Sequence, residues 1–336
     1  MKILFIGGTG TISMAITKLL AERGDELWLL NRGNRNGALP PNVKTMTVDI
    51  GDEQAAAAAL GDMTFDCVGE FIGFVPSQLE RDYRLFKGRT KQFIYISSAS
   101  AYQKPPKSYI ITEETPLENP YWEYSRNKKA CEDYLMKLYR EEGFPVTIVR
   151  PSHTYDERSV PLGVHGNGGS WQVVKRIMEG KRVIIHGDGS SLWTVTHNSD
   201  FAKGYAGLIG RPEAIGQAFH ITSDESVSWN CIYQAIADAL GVELKPVYVS
   251  SKMLADMSDY DLTGSLIGDK ANSVVFDNSK LKAIVPDFKA EISAAEGIKM
   301  TVRHILEHPE LQKDDPEFDL WCDRVIDAME RATEDV

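Results

Sequence analysis

Cysteine, metal-ligand spacing, long apolar runs and positive charge are all scarce in this chain, and each scarcity removes a class of function. Only four of the 336 residues are cysteines. Cys67, Cys131, Cys231 and Cys322 lie far apart with no CxxC pair, so neither a disulfide framework nor a cysteine zinc site is expected, and the thiols read as reduced, mostly core residues. No metal site is expected. No apolar run approaches the roughly 18 residues of a membrane span, and the opening residues are apolar only briefly before Gly7-Gly8, too short for a signal-peptide core. The expectation is a cytoplasmic chain without a membrane partner. Lys and Arg number 37 against 48 Asp and Glu, a net charge of -11, which argues against a general nucleic-acid surface. Internal repeats and low-complexity linkers are also missing. What is present, 43% hydrophobic and 25% charged residues, supplies core for one large domain and a smaller one, with small-molecule chemistry as the expected task.

The order of elements narrows that task. Residues 2–6 form an apolar run of strand type, followed by Gly7-Gly8-Thr9-Gly10 and then Ile12, Ala15, Ile16, Leu19 and Leu20 at helical spacing, with Gly24 as the stop. Strand, glycine turn and helix in this order make a dinucleotide site, because the glycines let the backbone approach a pyrophosphate at the positive end of the helix. Ser13 stands where that fingerprint usually has glycine or alanine, which slightly loosens helix-to-strand contact. The second strand, 26–30, ends in Asn31-Arg32-Gly33 with no acid for the ribose hydroxyls. Arg32, with Arg35, can instead pair with a 2'-phosphate, which favours NADP(H) while leaving NAD(H) possible; the bland alternative is a solvated loop charge or a stack on adenine. A third strand, 43–48, leads to Asp49-Ile50, where Asp49 is placed to accept from adenine. An alanine-rich helix at 55–59, a strand at 65–68, a helix at 77–86 and a strand at 92–96 follow. This alternation implies an α/β fold, a Rossmann-type doubly wound parallel sheet with ligands outside the strand carboxyl ends.

Tyr124 and Lys128, at i and i+4, share one side of a helix. A nearby ammonium favours phenolate, so the tyrosine pKa is expected to fall toward the range of a working acid/base. Alone, such a pair is a frequent coincidence. In company it is not: Gly7-Gly8-Thr9-Gly10, Ser97-Ser98 after the fifth strand, the YxxxK of Tyr124 and Lys128, and Arg150-Pro151 together resemble the extended short-chain dehydrogenase/reductases, within them the NAD-dependent epimerase/dehydratase group. Asp188 to Asp200 and Gly216 to Ile221 further resemble the branch containing chloroplast stem-loop-binding proteins. The resemblance covers residues 1 to about 240 and implies catalytic roles for Ser98, Tyr124 and Lys128. Tyr124 would exchange a proton with a substrate hydroxyl or carbonyl, Lys128 would hold the nicotinamide ribose, and Ser98 would bond the reacting oxygen. Cofactor contacts are implied at Gly7, Thr9, Gly10, Thr11 and Ile12, at Asn31, Arg32, Asp49 and Ile50, and at Ser97, Tyr124, Lys128, Pro151 and His153. Substrate contacts are implied at Ser100, His153 and Trp193. The expected division is a dinucleotide domain of residues 1–165, with 199–222 packing back on it, and a smaller α+β substrate domain of 166–198 and 223–336.

Departures from the family pattern sharpen the expectation. Ala99-Ser100 follow Ser98 where sugar-nucleotide 4,6-dehydratases carry an acidic pair, so dehydration is disfavoured. Trp193 occupies the position, after the Gly187-Asp188-Gly189-Ser190 turn, of the arginine that clamps a nucleotide pyrophosphate in familiar epimerases; it reads as a stacking platform for a sugar or as core. His153 is a candidate second acid/base, with a hydrogen-bonded structural histidine as its bland alternative. The glycine-rich stretch 163–169 reads as a mobile loop and lid. Further helices are expected at 171–178, 200–209, 229–240, 251–260, 279–284, 294–308 and 316–331, with strands at 183–185, 218–221 and 245–249. Asp269 to Phe276 resembles the family segment lining the substrate cleft. The last helix either caps the substrate domain or packs on a second subunit, as a homodimer would. The expected activity is a nicotinamide-dependent epimerase or reductase for a sugar or nucleotide sugar; the alternative is a non-catalytic or RNA-binding protein.

Overall fold

The computed structural model describes residues 1–334. In chain order the elements are β1 (Lys2–Ile6), α1 (Thr11–Glu22), β2 (Glu26–Asn31), β3 (Lys44–Thr47), α2 (Glu53–Leu60), β4 (Cys67–Glu70), α3 (Pro76–Phe86), β5 (Phe93–Ile96), β6 (Ile110–Ile111), α4 (Glu123–Glu142), β7 (Val146–Pro151) and β8 (His153–Tyr155). There follow α5 (Trp171–Met178), β9 (Val183–His186), β10 (Leu192–Trp193), β11 (Val195–His197), α6 (Asn198–Leu208), β12 (Gln217–Ile221), β13 (Val227–Ser228), α7 (Trp229–Leu240), β14 (Pro246–Val249), α8 (Ser251–Asp256), β15 (Val275–Phe276), α9 (Ser279–Ile284), α10 (Ala294–Glu307) and α11 (Pro316–Glu334).

Seven strands form one parallel sheet in the order β12-β7-β5-β4-β1-β2-β3. Its strands are apolar on both sides because helices cover both faces. In β1, Ile3 and Phe5 point to the face where Ile16 and Leu20 of α1 meet Phe201 and Tyr205 of α6. Leu4 and Ile6 point to the other, where Ala56 of α2, Leu79 and Phe86 of α3, and Leu135 of α4 pack. The expected doubly wound α/β sheet is therefore present, with α6 packed on one face and β12 at one edge.

Small two-stranded sheets (β10 with β13, β8 with β11, β9 with β14, β6 with β15) surround a third apolar cluster. Trp171, Val174, Trp229, Ile232, Tyr233, Ile298, Phe318 and Trp321 gather there. The apolar face of α11 closes over this cluster within the chain, and the Trp321 indole donates to the Met257 carbonyl at 3.1 Å. Leu320 on the opposite side of α11 stays exposed.

Two readings change on contact with the structure, and one stretch gains an element. The helix expected over 251–260 stops at Asp256, because Ser258 turns its hydroxyl back to accept from the Tyr260 amide at 3.0 Å, a local bond that competes with the helix. The stretch Thr263–Lys270, without an assignment from its pattern, makes widened helical turns. Gly264 permits this: a Cβ there would lie 2.2 Å from Trp122 Cδ1, so the segment rides directly on the indole. The glycine-rich stretch 163–169 is not a free lid. The Gly168 amide donates to Asp315 Oδ2 at 3.1 Å, Gly166 backs onto Phe318, and none of these residues borders the cleft at the sheet edge. Here glycine serves close approach rather than mobility.

Candidate active site

A cleft of about 1030 Å³ runs along the carboxyl ends of the central strands, the expected place for a ligand in such a sheet. Its first half is the turn between β1 and α1. Gly7 and Gly8 have φ of 102° and 91°, a region closed to side chains, and a Cβ on Gly8 would stand 2.5 Å from Leu29 Cδ2. Thr17 Oγ1 donates to the Gly8 carbonyl at 2.8 Å and holds the turn on the helix. Ser13 does more than occupy a small position: its Oγ accepts from the Gly10 amide at 2.9 Å. The first turn of α1, with Thr11 and Ile12, opens into the cleft. Its leading amides have no partner inside the helix and carry the positive end of its dipole.

At the end of β2, Asn31 ties the turn to the next loop, donating to the Gly7 carbonyl at 3.4 Å and accepting from the Gly33 amide at 2.8 Å. Arg32 and Arg35 line the cleft, and neither has an ion-pair partner among the described residues. Asp49 Oδ1 accepts from the Gly51 amide at 2.8 Å, and Ile50 packs beneath it, buried.

The second half is built by the ends of β5 and β7 and the start of α4. Ser98 Oγ accepts from the Ser100 amide at 3.2 Å and shares a hydrogen bond of 2.9 Å with Ser100 Oγ. Ser125 Oγ on α4 donates to Ser100 Oγ at 2.9 Å, and Asn119 donates to the Ser100 carbonyl at 2.7 Å. Ser100 thus anchors Ser98 from behind. Ser98 lines the cleft beside Tyr124 and acts to lower its pKa. Ser97 Oγ is buried without a partner among the described residues.

Tyr124 and Lys128 do face the same cleft from one side of α4, but the expected fall in the tyrosine pKa is absent. Burial raises it, Ser98 works against that rise, and the Asp269 carboxylate adds to it. The physical reason is the direction of Lys128. Its Nζ donates to the Gly73 and Ile96 carbonyls at 2.8 Å each and lies 5.8 Å from the Tyr124 ring centre, while burial pushes its own pKa down to about 8.

His153 also lines the cleft. Burial, reinforced by the Lys270 charge, lowers its pKa to about 3, so at neutral pH the ring is uncharged and a weak base, contrary to a role as second acid/base. Trp193 is 3% exposed, stacks on Trp229 at 6.3 Å and has Lys104 Nζ 5.2 Å from its ring centre. It is a core residue that also forms cleft wall. All the residues singled out for catalysis, cofactor or substrate, Pro151 included, border this one cleft.

Sequence reasoning missed several neighbours. Trp122 and Phe74 hold Tyr124 between rings centred 5.0 Å and 6.4 Å away; an aromatic two residues before the tyrosine was the available signal. Arg158, ion-paired with Asp156, donates to Thr11 Oγ1 at 3.1 Å and braces the first turn of α1. Nothing local in the sequence marks Lys104, which the fold buries at 5% exposure.

The chain is 22% identical over 256 residues to the 2'-dehydrokanamycin reductase of Streptomyces kanamyceticus, covering 76% of this chain and 71% of that one. It is 25% identical over 254 residues to the chloroplast stem-loop binding protein of 41 kDa b of Arabidopsis thaliana, covering 71% of this chain and 63% of that one. Thermus thermophilus UDP-glucose 4-epimerase in complex with NAD superposes with a TM-score of 0.71 at 20% identity, over 92% of this chain and all of that one, a likeness of fold. Among the described residues no helix is long and apolar enough to cross a membrane. The pattern of the NAD dependent epimerase/dehydratase family matches residues 3–222, so the chain belongs to that family.

Proposed function

We propose that this chain oxidises or reduces a sugar or sugar-derived alcohol with a nicotinamide dinucleotide, as a reductase or an epimerase, and that Tyr124 is its acid/base. One observation carries this: Ser98, Tyr124 and Lys128 meet at one end of a cleft whose other end is the glycine turn. Relatives named as a 2'-dehydrokanamycin reductase and a UDP-glucose 4-epimerase are consistent with it.

The residues present fit the dinucleotide. The positive-φ glycines leave room for a pyrophosphate over the first turn of α1, Arg158, paired with Asp156, steadies Thr11 there, and the unpartnered Ser97 hydroxyl awaits a partner. When bound, the dinucleotide supplies or accepts the hydride. In reduction the Tyr124 hydroxyl gives its proton to the substrate carbonyl oxygen as that carbon gains hydride; in oxidation the same oxygen takes the proton from the alcohol. Ser98 donates to the reacting oxygen, held in place by Ser100 and Ser125. Lys128, as an ammonium a turn away, offsets the charge of phenolate once it forms, and the rings of Trp122 and Phe74 pack against the tyrosine. Ala99 and Ser100 after Ser98 offer no acid pair for elimination, which disfavours dehydration. A screen of free and nucleotide-linked sugars followed by nicotinamide absorbance tests this reading. Stoichiometric NAD(P)H consumption marks a reductase, recycling of bound dinucleotide an epimerase, and no hydride transfer to any member of the screen contradicts the proposal.

Arg32 and Arg35, with no acid at the end of β2, favour NADP(H). A hydrogen bond to a charged group is worth roughly 1.5–3 kcal/mol, so Arg32→Ala is expected to weaken NADP(H) by about tenfold or more while leaving NAD(H) nearly unchanged. Titrating both dinucleotides by tryptophan fluorescence checks this; equal losses for the two would remove the argument. Because kcat/KM reports groups of the free enzyme, kcat/KM for the dinucleotide is expected to hold below pH 8. It should fall above it, as Lys128, with its pKa near 8, loses the proton that makes it a cation. A profile flat through this range would show that the Lys128 charge plays no part.

The RNA-binding alternative has behind it a relative named as a stem-loop binding protein and against it a net charge of -11.

A further inference from the structure

A serine hydroxyl has one proton to give, so Ser98 can assist a reacting oxygen only if that proton points into the cleft. Its Oγ accepts from the Ser100 amide at 3.2 Å. The 2.9 Å contact between Ser98 Oγ and Ser100 Oγ admits either atom as the donor. If Ser98 gave its proton to Ser100, none would remain for a substrate, so the direction of this one bond decides whether Ser98 is a donor to the cleft.

That direction is set further back in the fold. Ser125 Oγ donates to Ser100 Oγ at 2.9 Å, and Asn119 Nδ2 stands behind it, donating to Ser125 Oγ at 3.3 Å. The Asn119 amide can sit only one way round. Its Oδ1 accepts from the Tyr121 amide at 3.1 Å, while Nδ2 meets the carbonyl oxygens of Ser100 at 2.7 Å and of Gly268 at 2.6 Å, which only accept. Ser125, facing an obligate donor, passes its proton to Ser100, and Ser100, already accepting from Ser125, passes its own to Ser98. Asn119, Ser100 and Ser125 are all buried, where polar groups take the partners the protein gives them.

A loop anchor is the simpler reading of Asn119, because it ties the segment before α4 to the widened turns at Gly268. The two carbonyls account for such an anchor. They do not account for the third acceptor, since the two protons of Nδ2 are divided among three oxygens and the third is the hydroxyl at the head of the line to Ser98. We infer that Asn119 is a positioning residue that fixes the direction of this line, Asn119 to Ser125 to Ser100 to Ser98, so that Ser98 presents its proton to the reacting oxygen beside Tyr124. The inference rests on the proposed role of Ser98 and adds the residue that orients it.

Neutron diffraction from a crystal of the deuterated protein reads the line directly. The Ser125 deuteron is expected to point at Ser100, that of Ser100 at Ser98, and that of Ser98 into the cleft. A Ser98 deuteron directed at Ser100, or a Ser125 deuteron directed away from Ser100, overturns the inference. Kinetics test the consequence. Asn119→Asp keeps the shape of the side chain and the acceptor for Tyr121, but puts an acceptor where the donor was, which draws the Ser125 proton to itself and reverses the line. With a substrate from the sugar screen, kcat is expected to fall about tenfold or more while dinucleotide affinity stays within about twofold; the same change made in Ser98→Ala should cost less than about twofold, since the line then has nothing to orient. Ser125→Ala, which cuts the line and leaves Asn119 on both carbonyls, should show the same pattern, and it serves if the aspartate variant does not fold. Equal losses with and without Ser98 would make Asn119 a loop anchor only and overturn the inference. A wild type that transfers hydride to no sugar would strike the proposed function instead, and the neutron structure alone would then decide the direction of the line.

Discussion

Tyr124→Phe is expected to lower turnover by about a thousandfold, within the range that general acid/base groups contribute, while dinucleotide affinity and folding stability stay close to wild type. The change removes one oxygen from a ring that keeps its place between Trp122 and Phe74. Ser98, which acts on that oxygen, keeps Ser100 as its partner. The loss should therefore fall on kcat rather than on KM for the dinucleotide. A second check separates chemistry from packing: Ser98→Ala should also reduce turnover, and the double variant should lose little beyond Tyr124→Phe alone, because groups acting as one unit are not additive. Turnover within tenfold of wild type would mean that another residue moves the proton.

Glu132→Ala is expected to destabilise the fold by about 3–5 kcal/mol, the usual result of stranding one partner of a buried ion pair. Glu132, on α4 one turn beyond Lys128, takes two bonds from Arg150, Nη2 to Oε2 at 2.6 Å and Nε to Oε1 at 3.0 Å. Both side chains are nearly inaccessible, at 8% and 4% exposure. The remaining guanidinium nitrogen donates to Tyr102 Oη at 2.9 Å and to the Glu113 carbonyl at 3.0 Å. The pair thus joins the helix that carries Tyr124 to the strand that leads into Pro151 and His153, and its loss should also reduce activity in the fraction that stays folded. Replacing both partners by apolar residues, Glu132→Leu with Arg150→Met, should recover much of the stability, since no unpaired charge is left behind. Denaturant titration of the three proteins decides it. A loss below 1 kcal/mol for Glu132→Ala would show that water reaches the guanidinium.

Which parts of this site could be read from sequence follows from the range of the interactions. The turn from Gly7 to Gly10, the helix carrying Tyr124 and Lys128, and Ser98 at a strand end are local patterns, and the strand boundaries fall within about two residues of their periodicity. The parallel sheet followed from alternation of elements. What periodicity does not carry is the direction of a buried charge. Lys128 bonds the carbonyls of Gly73, after β4, and Ile96, at the end of β5, so the tyrosine pKa moves opposite to the expectation from spacing alone. His153 likewise loses its basicity to burial and to Lys270, which arrives from the far side of the cleft. The stretch 163–169 looked mobile because glycine is ambiguous: the same residue type permits motion in the open and close packing against Asp315 and Phe318. Lys104 is the extreme case, a lysine whose sequence neighbours give no sign that it will be buried under Trp193. The division into dinucleotide and substrate domains stays a proposal built on the same alternation.

The central claim is that one cleft brings a nicotinamide to the Ser98, Tyr124 and Lys128 group, and a crystal structure of the chain grown with NADP(H) tests it most directly. The account predicts the pyrophosphate over the first turn of α1, the nicotinamide facing the Tyr124 hydroxyl, and Lys128 Nζ released from the Gly73 or Ile96 carbonyl to hold the nicotinamide ribose. A dinucleotide bound with its nicotinamide turned away from Tyr124, or with Lys128 still fixed on both carbonyls, would contradict it.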